Sequence, residues 1–174
     1  MLLLFGAGGA GVSGISFFDE TSSLNSALVS TASMPAAVGG AFLDILFPDR
    51  DVPGLETNTA SIVAKLTYGA TSFLFTGDSP KSIEGYLAAL EGPGLDSDVL
   101  KVGHHGSKTS TSDELLGLVS PSYAVISAGA GNRYGHPHAA VLDALSRFGV
   151  ERLGTYERGT IIFKSNGTDV WLEK

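Results

Sequence analysis

Phe73-Leu74-Phe75-Thr76-Gly77-Asp78 and Val99-Leu100-Lys101-Val102-Gly103-His104-His105-Gly106-Ser107 are two short apolar runs that stop at glycine and then present polar side chains. The first ends in a carboxylate, the second in paired imidazoles. Between them, Pro80 to Leu90 places Ile83, Tyr86, Leu87 and Leu90 at helical spacing, and Gly92-Pro93-Gly94 closes the segment. Strand, helix, strand in that order is a parallel crossover, which sets the carboxyl ends of its strands side by side. Asp78 and His105 then share one sheet edge although 27 positions separate them. Chemistry in open α/β sheets sits at that edge. A plainer reading of Gly77-Asp78 is a turn in which Asp78 or Ser79 caps the helix and Pro80 takes its first position.

Working outward, Thr59 to Tyr68 alternates, with Ile62, Ala64 and Leu66 on one face and Val63 and Lys65 on the other. Gly69-Ala70 links it to Thr71–Phe75, so the pair reads as a hairpin. Ala41 to Phe47 is a further strand, stopped by Pro48. The acidic loop from Asp49 to Thr57 lacks the spacing of a calcium-binding EF-hand. Downstream, Asp113 to Val119 reads as a helix, Tyr123 to Ser127 as a strand, and Gly129 to His138 as a polar glycine-rich loop. Helix Pro137 to Phe148 carries Val141, Leu142, Leu145 and Phe148 on one stripe. Strands Thr160–Lys164 and Thr168–Leu172 meet at Ser165-Asn166-Gly167, a strong hairpin signal. The expected fold is mixed α/β, with roughly seven strands, an ordinary sheet size, and three helices packed on the sheet.

A chain of 174 residues, 43% hydrophobic and 17% charged, has the composition of one folded domain rather than a disordered chain. Its net charge of −7 shows no strongly basic groove for nucleic acid. A polyanionic substrate would need a local basic patch or a bound metal to offset that charge. The absence of cysteine removes disulfides, thiolate zinc sites and cysteine nucleophiles. No segment has the roughly 18 unbroken apolar residues of a membrane-spanning helix.

Residues 1–40 read differently from 41–174. Gly6, Gly8 and Gly11 match the glycine spacing of a dinucleotide fingerprint after Leu2-Leu3-Leu4-Phe5. That motif needs a following helix and an acid about 20 residues on. Val12 to Phe18 is poor in helix formers, and no acid stands between Thr21 and Ala41. Asp19 to Ala37, rich in Ser, Thr and Ala, reads as loop or irregular strand.

Polar residues concentrate after Phe75, Val102 and Ser127, the ends of three successive strands. All four histidines, His104, His105, His136 and His138, lie in these strand-end loops. Each has a structural explanation, a cap or a satisfied loop hydrogen bond. Their coincidence points to chemistry on a rigid scaffold.

Thr76-Gly77-Asp78, Leu100-Lys101-Val102-Gly103-His104-His105-Gly106-Ser107 and Asn132-Arg133-Tyr134-Gly135-His136-Pro137-His138 together resemble the C-terminal hydrolase domain of ComEC-type competence proteins, of the metallo-β-lactamase superfamily. The resemblance runs from about Phe42 to Phe163 and leaves residues 1–40 poorly matched. It implies the C-terminal half of an αββα sandwich and hydrolysis of DNA phosphodiesters during uptake, with zinc or manganese. By the same resemblance Asp78 is the carboxylate shared by two metals and the His104-His105 pair supplies a ligand, His105 being favoured, with His104 orienting or protonating. It also implies a site at the extracytoplasmic face of a bacterial membrane, beside a membrane channel domain.

The His-x-His-x-Asp-His motif of that superfamily is absent. His136-Pro137-His138 has its first spacing, but Ala139-Ala140-Val141 follow. The expectation is therefore a partial ligand set whose remainder belongs to a missing N-terminal half-domain. Arg133 is expected to fork onto a phosphate, and His136 either to protonate the leaving oxygen or merely to support the loop. A non-catalytic module using Ser107–Ser112 and Asn132–His138 to bind phosphates or a partner chain is the alternative function. Nucleotide binding through Gly6–Gly11 ranks third.

Overall fold

The expected hairpin sets the register of the main sheet. The computed structural model describes residues 1–5, 15–18 and 36–173. Its strands are β1 (Leu2–Phe5), β2 (Ile15–Phe18), β3 (Ala36–Val38), β4 (Ala41–Phe47), β5 (Val63–Tyr68), β6 (Thr71–Phe75), β7 (Val99–Lys101), β8 (Tyr123–Ile126), β9 (Glu151–Gly154), β10 (Ile161–Ser165) and β11 (Val170–Leu172). Its helices are α1 (Lys81–Glu91), α2 (Asp113–Val119), α3 (Ala139–Arg147) and the single turn α4 (Thr155–Arg158).

Strands β3 to β9 form a seven-stranded mixed sheet in sequence order. β5 and β6 are antiparallel, with Tyr68 opposite Thr71 across Gly69-Ala70. From β6 to β9 every pairing is parallel, and α1, α2 and α3 make the crossovers. A second sheet, ordered β11-β10-β1-β2, is antiparallel throughout. The α/β expectation holds, but the strands exceed the expected seven because two sheets stack.

One core lies between the helices and the seven-stranded sheet, built from Leu74, Leu87, Leu100, Leu116, Ile126 and Leu145 among others. The other lies between the sheets, where Phe73 and Tyr123 meet Phe163 edge-on at 6.4 and 5.2 Å. Alternation along β6 and β7 serves both cores: Leu74 and Leu100 face the helices, while Phe73, Phe75 and Val99 face the second sheet.

Several local expectations need correction. Strand β9 and helix α4 were not legible: Glu151 and Arg152 are exposed charges, and only parallel pairing with β8 makes the segment a strand. The Asn166-Gly167 hairpin closes through four residues, since Ser165 pairs with Val170. Leu90 is 54% exposed and Phe148 42%. In α1 the buried residues are Ile83, Glu84, Leu87 and Ala88. That face is rotated toward Glu84, whose carboxylate accepts from the Thr111 and Ser112 amides, and this turns Leu90 outward. Ile62 lies outside β5 and is 56% exposed.

Gly6, Gly8 and Gly11 lie outside the described residues, as does most of Asp19–Ala37. The strands flanking the glycines, β1 and β2, are antiparallel neighbours. A dinucleotide fingerprint requires a parallel βαβ unit there, so nucleotide binding at this motif has no supporting architecture.

Candidate functional site

Three strand ends are tied together by the backbone. After β6, Gly77 adopts φ +54°, and a Cβ there would stand 2.9 Å from the Ile62 carbonyl oxygen. The turn presents Asp78, whose amide donates to Ser61 Oγ at 3.2 Å. The Gly77 carbonyl accepts from the His104 amide at 3.0 Å, joining this turn to the one after β7. Thr76 Oγ1 adds a bond to the Lys101 carbonyl at 2.9 Å. The Gly106 carbonyl accepts from the His138 amide at 2.8 Å, bringing in the loop after β8. A Cβ on Gly106 would meet Pro137 Cβ at 2.7 Å, so this close approach requires glycine.

Asp78 is not a helix cap. The N-cap of α1 is Pro80, with no side-chain cap bond, and Ser79 Oγ donates instead to the Thr76 carbonyl at 2.7 Å. The carboxylate is left free to face His105, whose Nε2 lies 3.7 Å from Asp78 Oδ1. His105 Nδ1 is 2.6 Å from the Ser127 carbonyl oxygen. A carbonyl only accepts, so in the neutral ring Nδ1 carries the hydrogen and Nε2 is an acceptor. Two acceptors then confront each other, an arrangement that a cation between them stabilises. The gap suits bonds near 2 Å from each side to one metal ion, and an Nδ1–H held by a carbonyl is the usual support of a metal-bound imidazole. Asp78 and His105 thus fit part of a metal shell. Among the described residues no group of three or more His, Asp or Glu side chains converges to complete it.

The backbone is strained where the imidazoles are displayed. His104 and His105 both sit in the left-handed region, at φ +45° and +56°. Non-glycine residues there cost roughly 1–2 kcal/mol each, and such strain clusters at functional sites.

His104 packs edge-on to His105 and His136, with ring centroids 6.3 and 5.8 Å apart. Burial, and then the neighbouring His104, His105 and His138, lower the basicity of His136, with Asp78 opposing. Its Nδ1 is buried without a hydrogen-bond partner among the described residues. His138 is the N-cap of α3, its Nδ1 accepting from the Ala140 amide at 3.2 Å. Arg133 is exposed and donates to Tyr134 Oη at 2.7 Å.

The loop Ser107–Ser112 is turned inward. Ser110 Oγ donates to the Gly103 carbonyl at 2.7 Å, Ser107 Oγ bonds Thr109 Oγ1 at 3.0 Å, and Glu84 occupies the amides of Thr111 and Ser112. The loop's own groups and Glu84 take up much of its hydrogen-bonding capacity, so it braces the His104-His105 turn.

Two residues at this edge had no role in the sequence reading. Asn132 bonds with both ends of its amide: Nδ2 donates to the Gly129 and His136 carbonyls, and Oδ1 accepts from the Tyr134 and His136 amides. Asn in a glycine-rich loop is a turn former, and that was the available signal. Lys101 is a charge inside an apolar strand, 7% exposed, with Nζ donating to the Val102 carbonyl at 2.7 Å. Burial pushes its ammonium from 10.5 down to about 8, against the pull of Asp78. The folded protein therefore releases this proton before the unfolded chain does, and stability must rise with pH between about 8 and 10. Urea unfolding should show a gain on the order of 3 kcal/mol across that window. Lys101→Met should abolish the rise and be the more stable at pH 7.

Fold and site together define a mixed α/β sandwich that gathers imidazoles and a carboxylate at the ends of successive parallel strands. No family model matches the chain. It is similar to ComE operon protein 3 of Bacillus subtilis, 41% identical over 120 residues, which are 69% of this chain and 15% of that protein. It is also similar to competence protein ComA of Neisseria gonorrhoeae, 39% identical over 63% of this chain and 16% of that protein. Recombination protein 2 of Haemophilus influenzae is 41% identical over 63% of this chain and 13% of that protein. These homologues agree with the resemblance to ComEC-type competence proteins, and the chain spans less than a fifth of the length of each.

Proposed function

We propose that this chain is part of a metal-dependent hydrolase domain of the ComEC type, with the metallo-β-lactamase fold, that cleaves DNA phosphodiesters. The observation supporting it is the confrontation of His105 Nε2 and Asp78 Oδ1 at 3.7 Å with Nδ1 fixed on a backbone carbonyl. Asp78 and His105 hold zinc or manganese, and the remaining ligands come from a His-x-His-x-Asp-His segment that this sequence lacks. A bound ion supplies an acidified water and neutralises phosphate charge. His104 orients the water or the phosphate, Arg133 forks onto a phosphate oxygen, and His136 meets the leaving oxygen. The domain works beside a membrane channel at the extracytoplasmic face. Among the described residues no helix is long and apolar enough to cross a membrane.

Calorimetric titration with zinc and with manganese tests the reading. Uptake is expected that Asp78→Asn and His105→Ala each abolish. That only two such ligands, Asp78 and His105, converge among the described residues favours a second reading, a non-catalytic module of the same fold. A chain that takes up neither ion, even with the missing segment added, decides for that module.

A further inference from the structure

We infer that Tyr134 is a stacking platform for an unpaired nucleobase, set at the rim of the histidine cluster. The inference rests on the phosphodiester reading and deepens it to a strand whose base is free to leave its neighbours. Tyr134 is 67% exposed, more than any other large hydrophobic side chain among the described residues.

A single exposed ring on a surface is ordinary. Here, however, the ring is held in place. Asn132 Oδ1 accepts from the Tyr134 amide at 3.2 Å and from the His136 amide at 3.0 Å, so both ends of the Tyr134–His136 segment hang on one side chain. Gly131 and Gly135, at φ +65° and +68°, bend the loop on either side. The ring lies nearly parallel to the His136 imidazole, 19° between planes with centroids 5.9 Å apart. The Arg133 guanidinium stands over one face of the ring, its Cζ 4.9 Å from the centroid, and bonds the ring's hydroxyl. Loop, ring and cation are thus arranged before any ligand arrives, which lowers the ordering cost of binding.

The chemistry of this trio selects its occupant. A ring with a guanidinium over one face, still 67% exposed, offers its open surface to a base and a positive charge to the adjoining phosphate. Proteins that hold single strands combine these two features. His136 joins the platform to the cluster through its contact with His104, so a base on Tyr134 lies beside the histidine cluster. A paired base in a duplex presents no free face to the ring. The platform therefore favours single strands without reading sequence.

The test is fluorescence anisotropy in chelator, where no cleavage occurs, with labelled oligothymidylate, a duplex of equal length and an abasic deoxyribose-phosphate oligomer. Wild type should prefer oligothymidylate to both other probes. Tyr134→Ala should weaken oligothymidylate binding about 5- to 100-fold, the size of one stacked base, and leave the abasic oligomer unchanged. Tyr134→Trp should bind at least as well as wild type. Equal binding by Tyr134→Ala and wild type overturns the inference, as does wild-type binding of the abasic oligomer as tight as that of oligothymidylate. Failure of metal-dependent cleavage with the stacking preference intact would sink the hydrolase reading alone.

Discussion

Mixed with a segment bearing His-x-His-x-Asp-His, this chain is expected to cleave linear DNA in the presence of manganese or zinc, and Asp78→Ala is expected to abolish the cleavage. Alone, the chain should be nearly inactive, because catalytic metal sites of the proposed kind use three protein ligands and Asp78 and His105 would supply two. Removing a group that merely orients a ligand costs about 10- to 100-fold, so removing Asp78 itself should exceed that. The fold should tolerate the change, since the carboxylate caps no helix and its amide bond to Ser61 needs only the backbone. The readout is release of nucleotides from end-labelled DNA, with thermal melting as the control. Efficient cleavage by the chain alone, or cleavage that survives Asp78→Ala at full rate, would contradict the ligand assignment.

In the completed protein, His136→Ala should lower turnover by about 10²- to 10⁴-fold, the usual size of a proton-transfer contribution, with metal uptake and melting temperature unchanged. A supporting role predicts the reverse, a lower melting temperature with turnover per folded molecule intact. The geometry separates these outcomes. The bonds that hold the loop at this position use the backbone amide and carbonyl of His136, both on Asn132. They survive the loss of the ring, whereas Asn132→Ala should disorder the loop. If His136 acts as the acid, its lowered pKa places the fall in rate with rising pH below 6.5, its ordinary value. Single-turnover rates from pH 5 to 8 read that limb, and His136→Ala should flatten it.

What the sequence determined by itself was local. Alternation at 59–75, stops at Gly77, Gly103 and Gly129, and helical stripes at 80–90 and 137–148 mark strands, turns and helices from chain chemistry that needs no distant partner. They also locate Asp78 and His105 at strand ends, and parallel crossovers require those ends to share an edge.

Tertiary structure decided whether shared edge meant contact. Asp78 is free because Pro80 begins the helix and Ser79 turns back to Thr76, a competition between caps that composition does not rank. His105 is oriented by a carbonyl 22 residues away, and any residue type at 127 carries one, so no side-chain pattern announces it. The loop Ser107–Ser112 reads as a hydroxyl-rich anion site, yet Glu84 from another element occupies two of its amides. The second sheet joins β1 to β10 through backbone bonds between the two ends of the chain, with β2 added on the far side of β1. Backbone donors and acceptors are the same at every residue except proline. Which pair meets is settled by the packing of the whole chain rather than by the residues at either end.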